Sequence, residues 1–266
     1  MDEPREGTRD ALPGYRHVPR ATGAGSAAPS AEVEVVLTDL PALWGMLTPR
    51  RAQYRFPAWV RQELSLPPQE ARWVLPRSVE REAARLARRH EYTLDFVTDD
   101  ALLRRFFHEL YRPYVLGRFG SGAIVVNEED FLAKARGCTL ARLHESGQWT
   151  AGLLLERRGS RLRLGWFGAS RYPPPVGASD VLDVGCIRQA HAAGVRRVEL
   201  GHSRPSLADG VVRYKQKLGA RVCAVRYPQA RLGIAVDRGP PALFDRLNGW
   251  RLIAFRGGRP SILEAS

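Results

Sequence analysis

The sequence has few of the residues that build disulfide frameworks and metal sites. Only three cysteines occur in 266 residues, and Cys138, Cys186 and Cys223 are too widely spaced for a disulfide framework or a metal-binding motif. Each stands in an apolar or mixed stretch of sequence. We therefore expect buried free thiols, a reducing compartment and no metal site.

The sequence also lacks the segments that direct a chain to a membrane. No charged N-terminal region is followed by an apolar one, and no apolar run is long enough to span a bilayer. No basic amphipathic helix stands apart from the core pattern, which disfavours an acidic membrane surface as a partner. These absences predict a cytoplasmic protein that has no membrane partner.

Lysine is scarce although the chain is strongly basic. The 41 basic residues include only three lysines, Lys134, Lys215 and Lys217, and they outnumber the 28 acidic residues to give a net charge of +13. Such an excess favours a polyanionic partner, either nucleic acid or a phosphate-bearing cofactor. Two of the three lysines fall within four residues of each other.

The N-terminal third of the chain differs in composition from the rest. Residues 1–30 are rich in Pro, Gly, Ser and Ala without hydrophobic periodicity, so we expect a disordered tail. Residues 31–89 contain a strand at 33–37 and several aromatic side chains, which predict a small N-terminal lobe. Its aromatic residues alternate with arginine, as in proteins that stack nucleic-acid bases.

A basic helix is predicted to end this lobe. It runs from Ser78, as N-cap, to about Arg89, and three arginines line one of its faces: Arg81, Arg85 and Arg88. Such a stripe is either a solvated helix face or a surface that follows a nucleic-acid backbone.

Residues 90–266 show a regular succession of strands and helices, which predicts one larger domain. The predicted order begins with a strand (92–97), a helix capped by Asp99 and ending at Tyr111, and a second helix (128–136). Three antiparallel strands follow (138–145, 149–156 and 161–168), with turns at Ser146–Gly147 and Arg158–Gly159. The rest is predicted as a long helix capped by Ser179 or Asp180 and ending at Ala193, a strand (196–201), a short helix ended by Gly219, strands at 221–227 and 232–236, a short helix at 243–247 and a last extended stretch. His191 falls on the apolar face of the long helix and is expected in the core.

The short helix before Gly219 has a lysine on its apolar side. On a helical wheel Val211, Tyr214 and Leu218 share one arc, and Lys215 falls inside it, whereas Lys217 takes the opposite side. A lysine on the apolar side is costly unless its head reaches solvent or meets an anion. Lys215 is therefore either a partly buried structural residue or a cation beside a reacting carbonyl or phosphate.

The order of elements over residues 90–236 resembles the GNAT acyltransferase fold. The stretches AGLLLE, WFGAS, AHAAGVRRVELG and above all DGVVRYKQKLGA make the chain most similar to the CelD/Fem-like branch of that superfamily. The resemblance implies an α/β (α+β) fold with a mixed, mostly antiparallel central sheet flanked by helices. It also implies an N-acyltransferase, because Fem-type enzymes transfer an aminoacyl group from charged tRNA to an amine and ordinary GNAT enzymes use acetyl- or acyl-coenzyme A.

The resemblance assigns roles to particular residues. Tyr214 would protonate the leaving group and Lys215 would stabilise negative charge near the donor ester. Backbone donors at Trp166, Phe167 and Gly168 would hold the donor carbonyl. Both residues also have a purely structural explanation. Tyr214 could be a core residue whose hydroxyl lies at the edge of the core, and glycines such as Gly168 are common at strand ends.

Four polar residues near the end of the 196–201 strand are further candidates. His202 could take the proton from the acceptor amine, or it could simply cap backbone groups in a loop. Ser203, Arg204 and Asp209 are placed beside the same expected substrate cleft.

The loop before the long helix departs from the GNAT pattern, and this bears on the donor. It reads PPPVGASD, without the usual pyrophosphate-binding glycine pattern, although backbone N–H groups around Gly177 and Ser179 could still meet an anion. Asp180 and Asp183 are expected in the first helical turn, where they would repel a pyrophosphate. These features favour aminoacyl-tRNA over coenzyme A as co-substrate, with no permanently bound cofactor.

The acceptor and the oligomeric state stay open at this stage. The chain is too short for two full GNAT domains, so an amine-bearing small molecule or peptide in a biosynthetic pathway fits better than a cell-wall acceptor. tRNA would be bound through Arg81, Arg85, Arg88 and Lys217. A non-catalytic, GNAT-like nucleic-acid-binding protein is the alternative of another class, and the inward Lys215 favours catalysis over it.

Overall fold

The computed structural model describes residues 36–40, 54–123, 125–224, 231–235, 249, 251–256 and 259–262. The predicted tail (1–30), Trp44 and the predicted helix at 243–247 lie outside the described residues. No helix of the described part is long and apolar enough to cross a membrane.

A seven-stranded sheet is the main structural feature, and it confirms the predicted fold class. Its strand order is β4-β5-β6-β7-β8-β3-β9; β4 to β7 pair antiparallel and β7 pairs parallel with β8. The strands are β3 (Val60–Ser65), β4 (Tyr92–Val97), β5 (Thr139–Glu145), β6 (Gln148–Arg158), β7 (Arg161–Ala169), β8 (Arg197–Ser203) and β9 (Arg221–Cys223). Strands β5, β6 and β7 form the predicted meander.

Six α-helices are described; five of them overlap predicted helices, and the third, Arg112–Phe119, lies where no helix is predicted. They are α1 (Arg77–Arg89), α2 (Asp100–Phe106), α3 (Arg112–Phe119), α4 (Glu128–Ala135), α5 (Ala178–Ala192) and α6 (Gly210–Lys217). Asp99 caps α2 as predicted, because its Oδ1 accepts a hydrogen bond of 2.8 Å from the backbone N–H of Ala101.

The predicted cap of α1 is wrong. The helix begins after Pro76 without a side-chain cap, and Ser78 lies within its first turn. The buried carboxylate of Glu80 instead accepts hydrogen bonds from the backbone N–H groups of Val74 and Leu75, at 2.8 and 2.9 Å, and pairs with Arg188 at 3.0 Å. The acid in the first turn thus fixes the chain that enters the helix.

The helix predicted to end at Tyr111 continues for two more turns. Between α2 and α3 the residues Phe107–Tyr111 form a π-helical turn, and the helical stretch ends only at Phe119. Gly120, with φ of 55°, then ends it. π-Helices are rare, occur mostly as single turns within α-helices, and are frequent at functional sites.

The core of the sheet is made by alternate strand residues and by the apolar faces of α2, α4 and α5. Leu140, Leu143 and Leu154 are fully buried within the meander, and Phe106 and Phe131 are fully buried on α2 and α4. His191 is buried on α5 as expected, with its Nε2 2.9 Å from the carbonyl oxygen of Pro68.

One of the two hairpin turns matches the prediction and the other is shifted by a residue. Ser146 and Gly147 both have positive φ, 48° and 82°, as a two-residue hairpin turn of type I′ requires. The second turn consists of Gly159 and Ser160 rather than Arg158 and Gly159, because Arg158 still pairs with Arg161.

The chain divides into two compact units. The larger one contains residues 62–201 and 215–221; the smaller one combines the described residues up to 61 with 202–214 and those from 222 onwards. Residues 62–89, predicted as part of the N-terminal lobe, thus lie in the larger unit. In the smaller unit, Val60, Val212 and Ile253 form a buried apolar cluster.

Two further sheets belong to the smaller unit. One has the order β1-β10-β2 and the other is a hairpin of β11 and β12. The strands are β1 (Val36–Leu40), β2 (Tyr54–Pro57), β10 (Arg231–Ala235), β11 (Ile253–Arg256) and β12 (Arg259–Ile262). The predicted strands at 33–37 and 232–236 overlap β1 and β10, and residues 33–35 and 236 lie outside the described residues.

Candidate active site

The two parallel strands β7 and β8 separate shortly after they begin. Their ladder covers only Arg161–Arg163 against Arg197–Glu199 among the described residues. Gly201, with φ of 72°, then bends β8 in a conformation that only glycine adopts readily. From Leu164 onwards, one backbone edge of β7 therefore lies outside the β8 ladder.

A β-bulge lies in the part of β7 that has left β8. Leu153 pairs with Phe167 and Leu155 pairs with Leu164, so Gly165 and Trp166 together oppose the single residue Leu154. A bulge of this kind bends the strand and redirects its backbone groups, and bulges occur often beside active sites. The sequence gives no direct signal for it beyond the glycine.

Gly168 lies directly against the π-helical turn. A Cβ built at Gly168 would be 2.6 Å from the backbone nitrogen of Tyr111 and 2.8 Å from the backbone carbon of Leu110. Glycine is therefore required here so that strand and helix backbones can approach. The resemblance predicts Gly168 as a backbone donor and does not predict its contact with this turn.

Aromatic side chains surround the bulged part of β7. The half-buried Trp166 packs against Phe131 and Tyr111, with ring centroids 5.0 and 6.1 Å apart. Phe167 meets Tyr114 edge-to-face at 4.9 Å. Burial raises the pKa of Tyr111, so its hydroxyl stays protonated at neutral pH. Tyr111 and Phe131 were missed as site residues because only the π-helical turn brings Tyr111 to this position.

Lys215 is a buried residue at the centre of the buried arc of α6. Its exposed fraction is 8%. The buried Val212 precedes it by one turn, and Leu218, also buried, follows it by one turn and lies directly after the helix. Val211 and Tyr214, predicted to lie at the core of this arc, are only half-buried at its border. Lys217 is exposed, as the helical wheel predicts.

Both ends of α6 are fixed by hydrogen bonds. The Asp209 carboxylate accepts from the backbone N–H groups of Val211 and Val212, at 2.8 and 3.0 Å, so this candidate binding residue caps the helix. At the other end Gly219 has a φ of 91°, and Ala220 N–H donates to the carbonyl of Lys215 at 3.1 Å. This is a Schellman motif, and it holds the backbone of Lys215 in place.

The remaining candidates around the end of β8 belong to the smaller unit. His202 and Arg204 are exposed, whereas Ser203 is buried with an exposed fraction of 3%. His202 and Ser203 are the last two residues of β8, and Arg204 directly follows the strand. Their predicted roles stay predictions.

The start of α5 differs from the prediction. Gly177, with φ of 74°, is the N-cap, and no side chain caps the helix, so neither Ser179 nor Asp180 has the predicted capping role. Gly177 is constrained by packing, since a Cβ would be 2.7 Å from a methyl group of Leu86. Asp183 lies beyond the first turn of α5, so Asp180 is the only acidic residue in that turn.

Charges on three helices meet at this end of α5. Burial raises the pKa of Asp180, the positive charge of Lys217 opposes that shift, and the negative charge of Glu82 adds to it. The pKa of Glu82 is lowered mainly by its hydrogen bond from Arg85, and Lys217 lowers it further. The exposed lysine of α6 thus interacts with an acidic group on α5 and another on α1.

The arginine stripe of α1 is exposed as predicted. Arg81, Arg85 and Arg88 are all solvent-accessible. Arg85 forms an ion pair with Glu82 at 2.7 Å, an exposed contact that water and salt weaken. The stripe is available to an anionic partner on this helix.

No metal centre is indicated in the part of the chain that the structure describes. It holds no group of three or more His, Cys, Asp or Glu side chains that could bind a metal ion. Cys138 and Cys186 are buried free thiols, and burial raises the pKa of both, so neither is an activated nucleophile.

No protein-family model and no curated protein matches the sequence. Among solved structures, L-PGS from Bacillus licheniformis is similar over 76% of this chain and 66% of its own, with 14% identity and a TM-score of 0.49. FemX is similar over 80% of this chain and 74% of its own, with 11% identity and a TM-score of 0.46.

A third similar structure is a GCN5-related N-acetyltransferase from Sphaerobacter thermophilus, with 17% identity and a TM-score of 0.43. It covers 78% of this chain, which in turn spans 60% of that protein. The chain itself has the fold class that the sequence predicts, a mixed and mostly antiparallel sheet flanked by helices.

Proposed function

We propose that this protein is an acyltransferase that forms an amide bond, using an aminoacyl group from charged tRNA and an amine of a small molecule or peptide. The observation that carries the proposal is the separation of β7 from β8 after three residues. It leaves a bulged strand edge where a substrate carbonyl can accept hydrogen bonds from backbone N–H groups. Such preorganised donors are the main means by which enzymes stabilise an oxyanion.

The proposed reaction follows from the chemistry of the donor ester. The amine nitrogen attacks the ester carbonyl carbon, a C–N bond forms, and a tetrahedral oxyanion develops. The C–O bond to the terminal ribose then breaks, the proton lost by the amine is taken up by a base, and the ribose oxygen leaves as a hydroxyl. No oxidant, metal or permanently bound cofactor is required.

Four parts of the chain would each have one role in this reaction. Backbone groups at Trp166, Phe167 and Gly168 would hold the donor carbonyl. Lys215 would stabilise the developing negative charge, and a cation in a water-poor site is well suited to that role. Tyr214 would protonate the leaving oxygen and His202 would accept the proton of the amine. The roles of the β7 backbone, Lys215 and Tyr214 follow the resemblance, whereas that of His202 follows from its place at the end of β8. The burial of Lys215 supports its part.

The choice of charged tRNA as donor is supported by charge. The chain carries +13 and exposes Arg81, Arg85 and Arg88 along one helix, a surface that suits a phosphate backbone. At the start of α5, where a pyrophosphate would need positive charge, the chain has a carboxylate at Asp180. Acetyl- or acyl-coenzyme A is the alternative donor.

A transfer assay with a simple amine distinguishes the donors. The purified protein is incubated with bulk aminoacyl-tRNA carrying labelled amino acids, or with acetyl-coenzyme A, in each case with hydroxylamine as the nucleophile. We expect protein-dependent formation of labelled hydroxamate from the tRNA and no release of thiol from coenzyme A. Thiol release without hydroxamate formation from tRNA would overturn the choice of donor.

A non-catalytic nucleic-acid-binding protein is the second candidate, favoured by the basic face of α1. It predicts RNA binding without any transfer from either donor, and it predicts that Lys215 can be replaced without loss of RNA affinity. The proposed transferase instead loses turnover when Lys215 is replaced.

A further inference from the structure

The larger unit exposes several large apolar side chains on two of its segments. Of its described residues, the large hydrophobic side chains with the greatest exposure are Leu116 at 43%, Phe119 at 51%, Tyr172 at 51% and Val176 at 63%. All four lie on α3 or in the loop between β7 and α5; we call them the α3 patch. Single exposed apolar side chains are ordinary, but a group of them marks an interaction surface.

The two segments that carry the α3 patch pack against each other. A Cβ at Gly117 would be 2.9 Å from the Cβ of Tyr172, so helix and loop are in close contact at this point. The ring of Tyr172 meets that of Tyr114 edge-to-face at 6.0 Å. The Tyr92 hydroxyl donates a hydrogen bond of 2.9 Å to the carbonyl of Val176, which fixes the far end of the loop.

Positive charge accompanies the α3 patch. Arg112, Arg118 and Arg171 are exposed on the same two segments, and neither α3 nor the loop at 170–177 contains an acidic residue. The Arg118 guanidinium lies over the ring of Phe119 at 5.2 Å and donates a hydrogen bond of 2.8 Å to the Tyr114 hydroxyl. The partner of this surface must therefore be both apolar and anionic.

We propose that the α3 patch docks the protein on an anionic lipid bilayer. Leu116 and Val176 have no aromatic face on which a nucleic-acid base could stack, and Val176 is the most exposed large hydrophobic residue of the unit. Inserted apolar side chains surrounded by arginines that reach the phosphate groups fit the boundary between headgroups and acyl chains.

Sequence reasoning disfavoured a membrane partner because it looked for a single amphipathic helix. The surface is instead assembled from the end of one helix and a loop more than fifty residues further along the chain. Docking would bring the end of β7 close to the headgroups, since Phe167 on that strand packs against Tyr114 beside the α3 patch. The proposal does not depend on which donor the enzyme uses.

Vesicle flotation tests the proposal with the full chain. We expect the protein to float with vesicles of equal parts phosphatidylglycerol and phosphatidylcholine at low salt and not with phosphatidylcholine alone. The variant Leu116→Ser/Phe119→Ser/Val176→Ser should bind the mixed vesicles at least about tenfold more weakly, because three inserted side chains are lost. Its melting temperature serves as the folding check, since all three side chains are exposed.

A matched control removes exposed apolar side chains elsewhere. Trp59→Ser/Ile262→Ser changes residues that are 48% and 42% exposed in the smaller unit, and it should leave vesicle binding unchanged. Arg112→Gln/Arg118→Gln/Arg171→Gln should remove most of the preference for the anionic vesicles. Failure of the wild-type protein to float, or equal flotation of the serine variant, would overturn the proposal.

Two other outcomes would also overturn the membrane proposal, because each would show that the α3 patch binds a different partner. If the serine variant lost affinity for RNA but floated normally, the α3 patch would be a nucleic-acid surface. If the wild-type protein eluted as a dimer that the serine variant converted to a monomer, without flotation of either, the α3 patch would be an interface between two copies of the chain.

Discussion

The backbone of Gly168 on β7 and the backbone of Tyr111 in the π-helical turn are in direct contact. A Cβ at Gly168 would be 2.6 Å from the Tyr111 nitrogen, a distance at which one of the two backbones must move. This contact places the π-helical turn, and the ring of Tyr111 with it, beside the bulged strand. The geometry of the candidate site therefore depends on one residue without a side chain.

Gly168→Ala should destabilise the protein and disturb the site. We expect a loss of about 2 kcal/mol or more in the free energy of unfolding, because a methyl group inserted between two backbones cannot be accommodated by a change of rotamer. Chemical denaturation measures the loss. Gly165→Ala on the same strand is the control and should cost less, since its Cβ would meet only the Leu154 carbonyl oxygen at 3.1 Å. Equal effects of the two substitutions would show that the contact with the turn is unimportant.

Lys215 and Lys217 should differ strongly in their effect on turnover. Lys215→Met is expected to lower the rate of hydroxamate formation by about a hundredfold or more, the value of a buried cation beside a developing oxyanion. Lys217→Met should change the rate only slightly, because its charge is exposed and screened by salt. Both substitutions remove a lysine from the same short helix, so the two variants have the same amino-acid composition and net charge.

The comparison of the two lysines also has a structural outcome. A Lys215→Met protein that fails to fold would indicate that the lysine is part of a structural ion pair rather than of the catalytic machinery. Small and equal effects on turnover would contradict the role proposed for Lys215.

The arginine stripe of α1 should determine how RNA binding responds to salt. Replacing Arg81, Arg85 and Arg88 by Gln removes up to three phosphate contacts, so the slope of log affinity against log salt should decrease by about three. Titration of labelled tRNA at several salt concentrations measures it. Gln substitutions at three other exposed arginines, Arg136, Arg158 and Arg161, remove the same charge and should change the slope much less.

Asp180→Asn should stabilise the protein at neutral pH. Burial raises the folded-state pKa of this carboxyl group, so the fold favours its protonated form. Its contribution to stability is complete below about pH 4 and is lost as the pH rises through the folded-state pKa. The asparagine variant should therefore gain stability over the wild type at pH 7 and lose that advantage in acid. Thermal melts at the two pH values measure it, and an equal gain at both would exclude a charge effect.

The sequence predicted the fold well wherever a single local pattern determines the structure. The meander, the cap at Asp99, the positive φ of Gly219 and the inward direction of Lys215 all follow from turn chemistry or helical spacing. The lysine even lies nearer the centre of the buried arc than predicted, because Val212 rather than Val211 is the buried valine.

Features that depend on contacts between distant segments were not predictable in the same way. The helix through Tyr111 was predicted to end there, because a π-helical turn has no local sequence signature and is held by the approach of Gly168. Ser78 and Ser179 match the residue preference of N-caps, but Pro76 and Gly177 precede the helices instead. The α3 patch was not predicted either, because its residues come from two segments that are distant in the sequence.

The position of β3 has a consequence for how the chain is made. This strand comes from residues 60–65 but lies between β8 and β9, so the ribosome releases it long before either neighbour exists. Until synthesis has passed Ser203, the end of β8, β3 has no sheet to join and its apolar residues must be kept from other partners. A fragment starting at residue 90 would lack the strand altogether and would expose the pairing edges of β8 and β9, which makes it prone to aggregate.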